Sequence, residues 1–351
     1  MPDPTVCVSI VTYNNRRYIR RCLDAVLAQS EVPMEVIVVD NGSDDGTRKI
    51  LRQFGKRIRV IWNSRNEGFA AAQNQAIRSS TSEWVLTLNP DVLLKPGFIA
   101  NLVGAGTIDP GAGAVCGKLL SIGVDFAPLD RPRLDSTGIY FTPQMRHFDR
   151  GWGDPADQSF EHAEYVFGAS AAAALYRRRM IDDIAVNGDF FDSDFFAYRE
   201  DADVAWRAQL LGWPCIYTPA AVAYHVRTMV PGKRRSVSGV LNMHSVKNRF
   251  LMRVKNTTPD LFRRFWLPMT LRDLVVVGAC FLYEPRSLEA LWRAALCARR
   301  AFQQRRHIMS RRVAGDGELA RWFNSDATSV PLLSEQAHTI EEKPFTGASV
   351  A

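Results

Sequence analysis

Cysteines are few and scattered in this sequence. The six, at positions 7, 22, 116, 215, 280 and 297, include no CxxC pair and no tight cluster. That spacing excludes a compact zinc site and a disulfide framework, and it suits a reduced, cytoplasmic setting. The opening residues MPDPTVCVSIVTYNN carry no basic stretch before their short apolar run, so no secretory leader is expected. The longest apolar candidate, residues 259–283, is interrupted by Arg272 and Asp273, and is read as too short and too charged to span a bilayer. No internal repeat is visible. No nucleic-acid-reading motif accompanies the basic charge, so nucleic acid is not an expected partner.

What is present is a chain of 351 residues, 46% hydrophobic and 23% charged, with a net charge of +7. The length suits one large α/β domain with an appendage, or two domains. The charge is uneven. Arg227 to Arg312 holds 19 Lys/Arg against 4 Asp/Glu, a local +15 that leaves −8 for the remainder. Such a concentration calls for an anionic partner, either phosphate groups or a membrane surface.

The first hundred residues alternate between two periodicities. VCVSIV (6–11), MEVIVVD (34–40), IRVIW (58–62) and EWVLTL (83–88) are short, β-branched, apolar runs. Between them lie segments with helical spacing, such as the apolar positions 19, 23, 26 and 27. Alternating strands and helices predict a mainly parallel sheet covered on both faces, with ligands bound outside the carboxyl ends of its strands. Polar residues gather at those ends. Thr12, Tyr13 and Asn14 follow the first strand, Asp40, Asn41 and Gly42 the second, and Asn89 and Asp91 the fourth. Each group alone reads as a turn; three groups on one sheet edge make a shared site.

Residues 105–165, rich in glycine and proline, predict irregular hairpins and loops. Residues 164–178 read as a loop and buried strand leading into a helix. Residues 195–213 contain a further helix, 214–225 an extended pair, and the chain from about 239 onward is helical. The final polar stretch, 325–351, is expected to be a disordered tail.

The blocks VSIVTYNN, VIVVDNGSDDGT, NEGFAAAQN, LNPD, FGASAAAALYRR, FFAYREDADVAWRAQLLGW and AVAYH follow one another between residues 5 and 230. In content and order the chain resembles family-2 glycosyltransferases of GT-A fold, in the branch that contains bacterial rhamnosyltransferases. The resemblance implies a GT-A domain over 1–230, with a nucleotide-binding half at 1–104 and an acceptor-binding half at 105–230. Residues 231–324 would then form a basic helical extension. It also implies an inverting transfer of a sugar, such as rhamnose, from a dTDP-, UDP- or GDP-sugar to a glycan or a polyprenyl-diphosphate-linked acceptor.

The implied roles map residue by residue. Thr12, Tyr13, Asn14 and Asp40 hold the nucleoside: the carboxylate accepts from base or ribose donors and an aromatic ring packs on the base. Asp44 and Asp45 read as helix caps. Gly68 lets the backbone approach the donor, while Asn66 and Asn74 are either donor contacts or caps. Asn89 and Asp91 meet the diphosphate. Asp91 is the candidate ligand for Mg²⁺ or Mn²⁺, which prefer carboxylate oxygen, and His225 is the second. The family often carries an Asp-x-Asp or Asp-Asp here, whereas this chain has Asn89-Pro90-Asp91. Asp201 is implied as the base that takes the acceptor proton, although an acidic helix start reads the same way. Gly168, Ala169 and Glu200 are expected beside the acceptor, with Trp206 either an acceptor wall or core. HFDRGW (147–152) is expected near the donor or acceptor, and Arg207 as a helix ion pair.

Two further readings stay open. A sugar nucleotidyltransferase would need a Gly-rich, Arg-containing loop after the first strand, where this chain has TYNNRR. A non-catalytic membrane scaffold would leave the carboxylates without work. The basic extension, with Arg263, Arg264, Arg293, Arg299 and Arg300, is either an interfacial helix on anionic lipid at the inner face of the plasma membrane or a helical appendage or homodimer interface. Residues 225–236 are expected to form a loop closing over the diphosphate.

Overall fold

A computed structural model of the protein describes residues 5–156, 160–227, 239–283, 288–324 and 328–332. The strands are β1 (Val6–Thr12), β2 (Met34–Asp40), β3 (Arg59–Trp62), β4 (Trp84–Leu88), β5 (Val92–Leu94), β6 (Ala114–Ser121), β7 (Leu134–Ser136), β8 (Ile139–Phe141), β9 (His147–Asp149), β10 (Glu164–Val166), β11 (Ala173–Arg177), β12 (Cys215–His225) and β13 (Ser329–Pro331). The helices are α1 (Ile19–Leu27), α2 (Thr47–Gln53), α3 (Phe69–Arg78), α4 (Phe98–Ile108), α5 (Arg178–Ile184), α6 (Glu200–Leu210), α7 (Gly239–Asn256), α8 (Pro259–Tyr283), α9 (Glu289–Ser310) and α10 (Asp316–Arg321).

One sheet runs in the order β13-β10-β12-β6-β11-β4-β1-β2-β3. β1 pairs in parallel with β2 and β4, β2 with β3, and β6 with β12, while β11 runs against both β4 and β6. Both faces are covered, so β1 is buried along its whole length. Its Val6, Val8 and Ile10 pack toward α1 and α4. Cys7 and Val11 pack toward α3 and α5 on the opposite face. This is why β1 reads as continuously apolar and yet has two distinct sides. In α1, Ile19, Cys22, Leu23 and Val26 are fully buried at helical spacing, and each large side chain so buried contributes roughly 1.5–3 kcal/mol. The expected fold class is borne out.

Four expectations change. The stretch 105–165 holds the expected loops and a short hairpin, β8 with β9, but it also contains β6, which is paired on both sides in mid-sheet, and it begins inside α4; neither of these was foreseen. Interior glycines (104, 106 and 117) hide the periodicity of both. Within the expected disordered tail, Ser329–Pro331 adds an edge strand antiparallel to β10, so backbone pairing orders part of it. The boundary expected at 230/231 does not divide the core: Trp206 of α6, Met252 of α7, Leu261 and Met269 of α8, Ile308 of α9 and Phe323 share one buried cluster.

The fourth change concerns α8. Its Pro259–Leu282 stretch is long and apolar enough to cross a membrane by length and composition. Arg272 and Asp273 do not break it, because the Asp273 carboxylate accepts from Arg253 at 2.6 and 2.7 Å and from Arg249 at 3.1 Å, both on α7. The charge therefore faces protein.

Candidate active site

The LNPD turn is built by backbone geometry. Val92 N–H donates to Asn89 O at 3.2 Å, and the chain then reverses into β5. β5 pairs antiparallel with the end of β12, matching Val92 with His225. Val226 N–H closes the pair on Asp91 O at 3.1 Å. Asp91 and His225, far apart in sequence, meet as a result: Oδ1 lies 3.5 Å from Nε2.

The other ring nitrogen of His225 is occupied. Nδ1 lies 2.7 Å from Asp135 Oδ2, and Asp135 is fully buried on β7. Burial alone would lower the His225 pKa; the Asp135 and Asp91 carboxylates outweigh it and raise it to about 10. Asp135 also pairs with Arg227 at 2.7 Å, and Arg227 pairs with Asp149 of β9 at 2.5 Å. A continuous run of charges therefore links Asp91, His225, Asp135, Arg227 and Asp149. Asp135 was not foreseen in the sequence, whereas Asp149 lay in HFDRGW and Arg227 in the loop expected over the diphosphate. HFDRGW divides in two: Asp149 joins this run, while Arg150 turns away to an ion pair with Glu164 of β10.

Asp201 stands in the first turn of α6. Its Oδ1 accepts from Ala202 N–H at 2.7 Å and its Oδ2 from Ala171 N–H at 3.3 Å. Burial, and then the nearby Asp149 carboxylate, push its pKa above the ordinary carboxylate range against the pull of those N–H groups. Glu200 is raised as well, by burial and then by Asp201, and its Oε2 is buried with no hydrogen-bond partner. Burial and the neighbouring negative charge thus disfavour ionising both carboxyls together.

Farther along the same sheet edge, Tyr13 is 48% exposed. Thr12 is buried and its hydroxyl donates to Asn15. Asn14, in left-handed backbone, ties the first loop to the second: its N–H donates to Ser43 and its Oδ1 accepts from Asp44 N–H. Asp40 is buried; Oδ2 accepts from Arg48 at 2.6 Å and from Ser43 N–H, while Oδ1 has no partner. Arg48 was not foreseen; it also lies over the exposed Trp62 ring. Asp45 accepts from Thr47 N–H at 2.9 Å at the start of α2, one position before Gly46, which holds the cap itself.

Several expected contacts prove structural. Asn74 is buried, exchanging hydrogen bonds with the Phe191 backbone at 2.7 and 3.0 Å, so it staples α3 to the loop before α6. Asn66 accepts from Gly68 N–H and Asn41, closing its own turn. Gly68 (φ 87°) is approached by protein and not left open to ligand: a Cβ there would meet the Phe196 ring at 2.6 Å and its carbonyl at 2.7 Å. Trp206 is fully buried among Phe141 and Phe323, which makes it core and not acceptor wall. Gly168 allows α6 to approach, since a Cβ would lie 2.2 Å from that of Ala205, and Ala169 is buried beside it. Arg207 pairs with Asp203 at 3.0 Å, as expected. Most of the expected loop, 228–236, lies outside the described residues.

Among the described residues no group of three or more His, Cys, Asp or Glu side chains is arranged to hold a metal. Two donors, Asp91 and His225, face each other, with Asp135 behind the imidazole. Once a cation displaces the Nε2 proton, that carboxylate–imidazole pair fits a divalent cation that takes its remaining ligands from a diphosphate. A separate cavity of about 530 Å³, lined by Asn74, Arg178 and Phe190 among others, opens between α3 and α5 and contains neither Asp91, His225 nor Asp201.

The mainly parallel sheet gathers carboxylates at one edge, beside a helix that starts on Glu-Asp, and its solved neighbours are GT-A glycosyltransferases. The sequence model of glycosyl transferase family 2 matches residues 7–185, and the chain belongs to that family. It is 28% identical over 241 residues to the N-acetylglucosaminyl-diphospho-decaprenol L-rhamnosyltransferase of Mycobacterium tuberculosis, covering 64% of this chain and 77% of that one. In fold it is similar to the mannosyltransferase PcManGT of Pyrobaculum calidifontis in complex with GDP-Man and Mn²⁺ (TM-score 0.50, 19% identity, 88% and 86% of the two chains). It is equally similar to residues 1–349 of S. aureus TarS (TM-score 0.51, 15% identity, 87% and 90%).

Proposed function

We propose that this glycosyltransferase moves a sugar, rhamnose in the first instance, from a nucleotide-diphosphate donor to a hydroxyl of a polyprenyl-diphosphate-linked glycan, with inversion. The observation that carries the reading is the half-buried Asp201 carboxylate at the start of α6, held by the Ala202 and Ala171 N–H groups and set near Asp149, in the run of charges that ends at Asp91. Asp201 takes the acceptor hydroxyl's proton as its oxygen bonds to the anomeric carbon. The sugar–phosphate bond breaks and its electron pair leaves with the nucleoside diphosphate. Asp91 and His225 would hold a divalent cation, which would supply charge stabilisation to that leaving group. Arg227 stands beside them as a phosphate partner. Tyr13 and the free Oδ1 of Asp40 receive the nucleoside. Support for the donor and acceptor classes comes from the GDP-Man complex of PcManGT and from the name of the mycobacterial relative.

The acceptor class implies a lipid surface. α8 exposes Phe262, Trp266, Leu267, Leu271, Leu274, Val275, Phe281 and Leu282, and α9 adds Trp292, Leu296 and Phe302. The exposed Arg263, Arg264, Arg299 and Arg306 accompany them. The opposite side of α8 is tied to α7 through Asp273. A helix docked on protein along one side, apolar on the other and flanked by arginine suits lying in the interface of an anionic bilayer.

Purified protein is tested against dTDP-, UDP- and GDP-sugars with Mg²⁺ or Mn²⁺, following donor hydrolysis and thermal shift. One nucleotide-sugar stabilises the protein in a metal-dependent manner; binding of none of them overturns the reading.

A further inference from the structure

The loop between α5 and α6 has an unusual backbone. Phe196, Tyr198 and Arg199 all have positive φ, at 64°, 71° and 71°, a region that bulky L-residues avoid. Phe196 (φ 64°, ψ −65°) centres a γ-turn of the rare hand, closed by Ala197 N–H donating to Phe195 O at 2.7 Å. Arg199 (φ 71°, ψ 1°) is the residue from which α6 starts, two positions before Asp201, and no side chain caps that start. The segment FAYR contains no glycine to relieve the strain.

The restraint comes from α7, a helix beyond the family match at 7–185. Asn248 is fully buried, and its Nδ2 lies 2.8, 2.9 and 2.7 Å from the carbonyl oxygens of Phe195, Ala197 and Tyr198. Lys247 donates to Asp194 O. Arg199 Nε donates to Ser245 O at 2.9 Å, and the His244 ring stacks on Phe196 with centroids 4.7 Å apart. From the opposite side, Phe69 and Ala70 at the start of α3 donate to Phe196 O at 2.6 and 3.3 Å.

We propose that Asn248 is a positioning residue for transfer: by gathering three carbonyls it holds residues 196–199 in left-handed backbone, and so sets where α6 begins and where Asp201 points. This rests on the reading of Asp201 as the base. The basic extension is on this account part of the catalytic unit and not an appendage.

Asn248→Ala and the isosteric Asn248→Asp, which cannot donate to carbonyls, are compared with wild type for kcat, donor KM, pH–rate profile and thermal unfolding. The expected result is a kcat lower by about 10- to 100-fold, as for a reacting group displaced by about 1 Å, with donor KM nearly unchanged and a displaced acid limb. Adding Tyr198→Gly to Asn248→Ala, since glycine adopts positive φ freely, restores most of kcat. Unchanged kcat in folded single variants, or a folded double variant without recovery, overturns the proposal. If Asn248→Ala does not fold, the double variant carries the test alone: near-wild-type kcat supports the proposal and a tenfold or greater loss overturns it. Asp201→Asn, run alongside, separates the two readings: full activity there sinks the base assignment itself, whereas an inactive Asp201→Asn with an unaltered Asn248→Asp sinks only the positioning role.

Discussion

His225 lies between two carboxylates, its Nδ1 2.7 Å from Asp135 and its Nε2 3.5 Å from Asp91. The buried Asp135 fixes the ring so that Nε2 faces the end of the LNPD turn. In a metal–imidazole–carboxylate arrangement the outer carboxylate sets tautomer, orientation and basicity. Asp135→Asn is therefore expected to weaken Mn²⁺ affinity about 10- to 100-fold, read by calorimetric titration with nucleoside diphosphate present. Asp91→Ala is expected to abolish the metal-dependent part of donor binding, and unchanged metal dependence in that variant would sink the ligand assignment.

Asp201 must be ionised to accept a proton. Because burial and Asp149 raise its pKa, kcat is expected to rise with pH along an acid limb lying above the ordinary carboxylate range. Asp201→Asn is expected to lower kcat by roughly 10²–10⁴-fold with donor affinity retained. A limb at an unperturbed carboxylate pKa would show that the burial around Asp201 does not persist in the working enzyme.

Beneath α6, Lys255 of α7 lies 2.5 Å from Asp192 and 2.9 Å from Asp203, all three buried. Lys255→Met leaves buried Asp192 without its cation and Asp203 with Arg207 alone, and is expected to cost about 3–5 kcal/mol, measured by urea unfolding. The same pair makes stability pH-dependent. Burial raises the Asp192 pKa, but Lys255 outweighs it and depresses the value to about 2. Its stabilisation is thus complete above the unfolded carboxylate pKa of about 4 and is lost as pH falls through about 2.

The exposed stripe of α8 is expected to bind vesicles containing phosphatidylglycerol more strongly than pure phosphatidylcholine vesicles. Replacing Leu271 and Leu274, 56% and 65% exposed, with glutamate is expected to abolish co-sedimentation without shifting the thermal midpoint. Retained vesicle binding would point to another face.

Much of the nucleotide-binding half was legible in the chain, because its signals are local. A β-branched run, a turn and an amphipathic helix announce themselves within about fifteen residues. Asp45 at a helix start and Arg207 as an i,i+4 pair were readable for the same reason. Asn74, Asn66 and Trp206 stayed open between site and structure, and Gly68 was read toward the donor, because a partner is remote or burial is invisible locally. Asn74 binds Phe191, 117 positions away, and a motif asparagine looks the same whether it faces ligand or backbone.

By itself the sequence determined the family, the sheet with its two covered faces, and the edge where polar residues collect, since all of these follow from periodicity and motif order. Only the tertiary structure decided what stands behind each motif residue. Antiparallel pairing of β5 with β12 brings Asp91 to His225, and buried Asp135 then orients the ring from β7. α7 reaches back to the strained loop before Asp201. These contacts join residues about 50 to 134 positions apart; chain connectivity does not encode them, and they exist only once the burial of two sheet faces and a shared helical core brings the segments together.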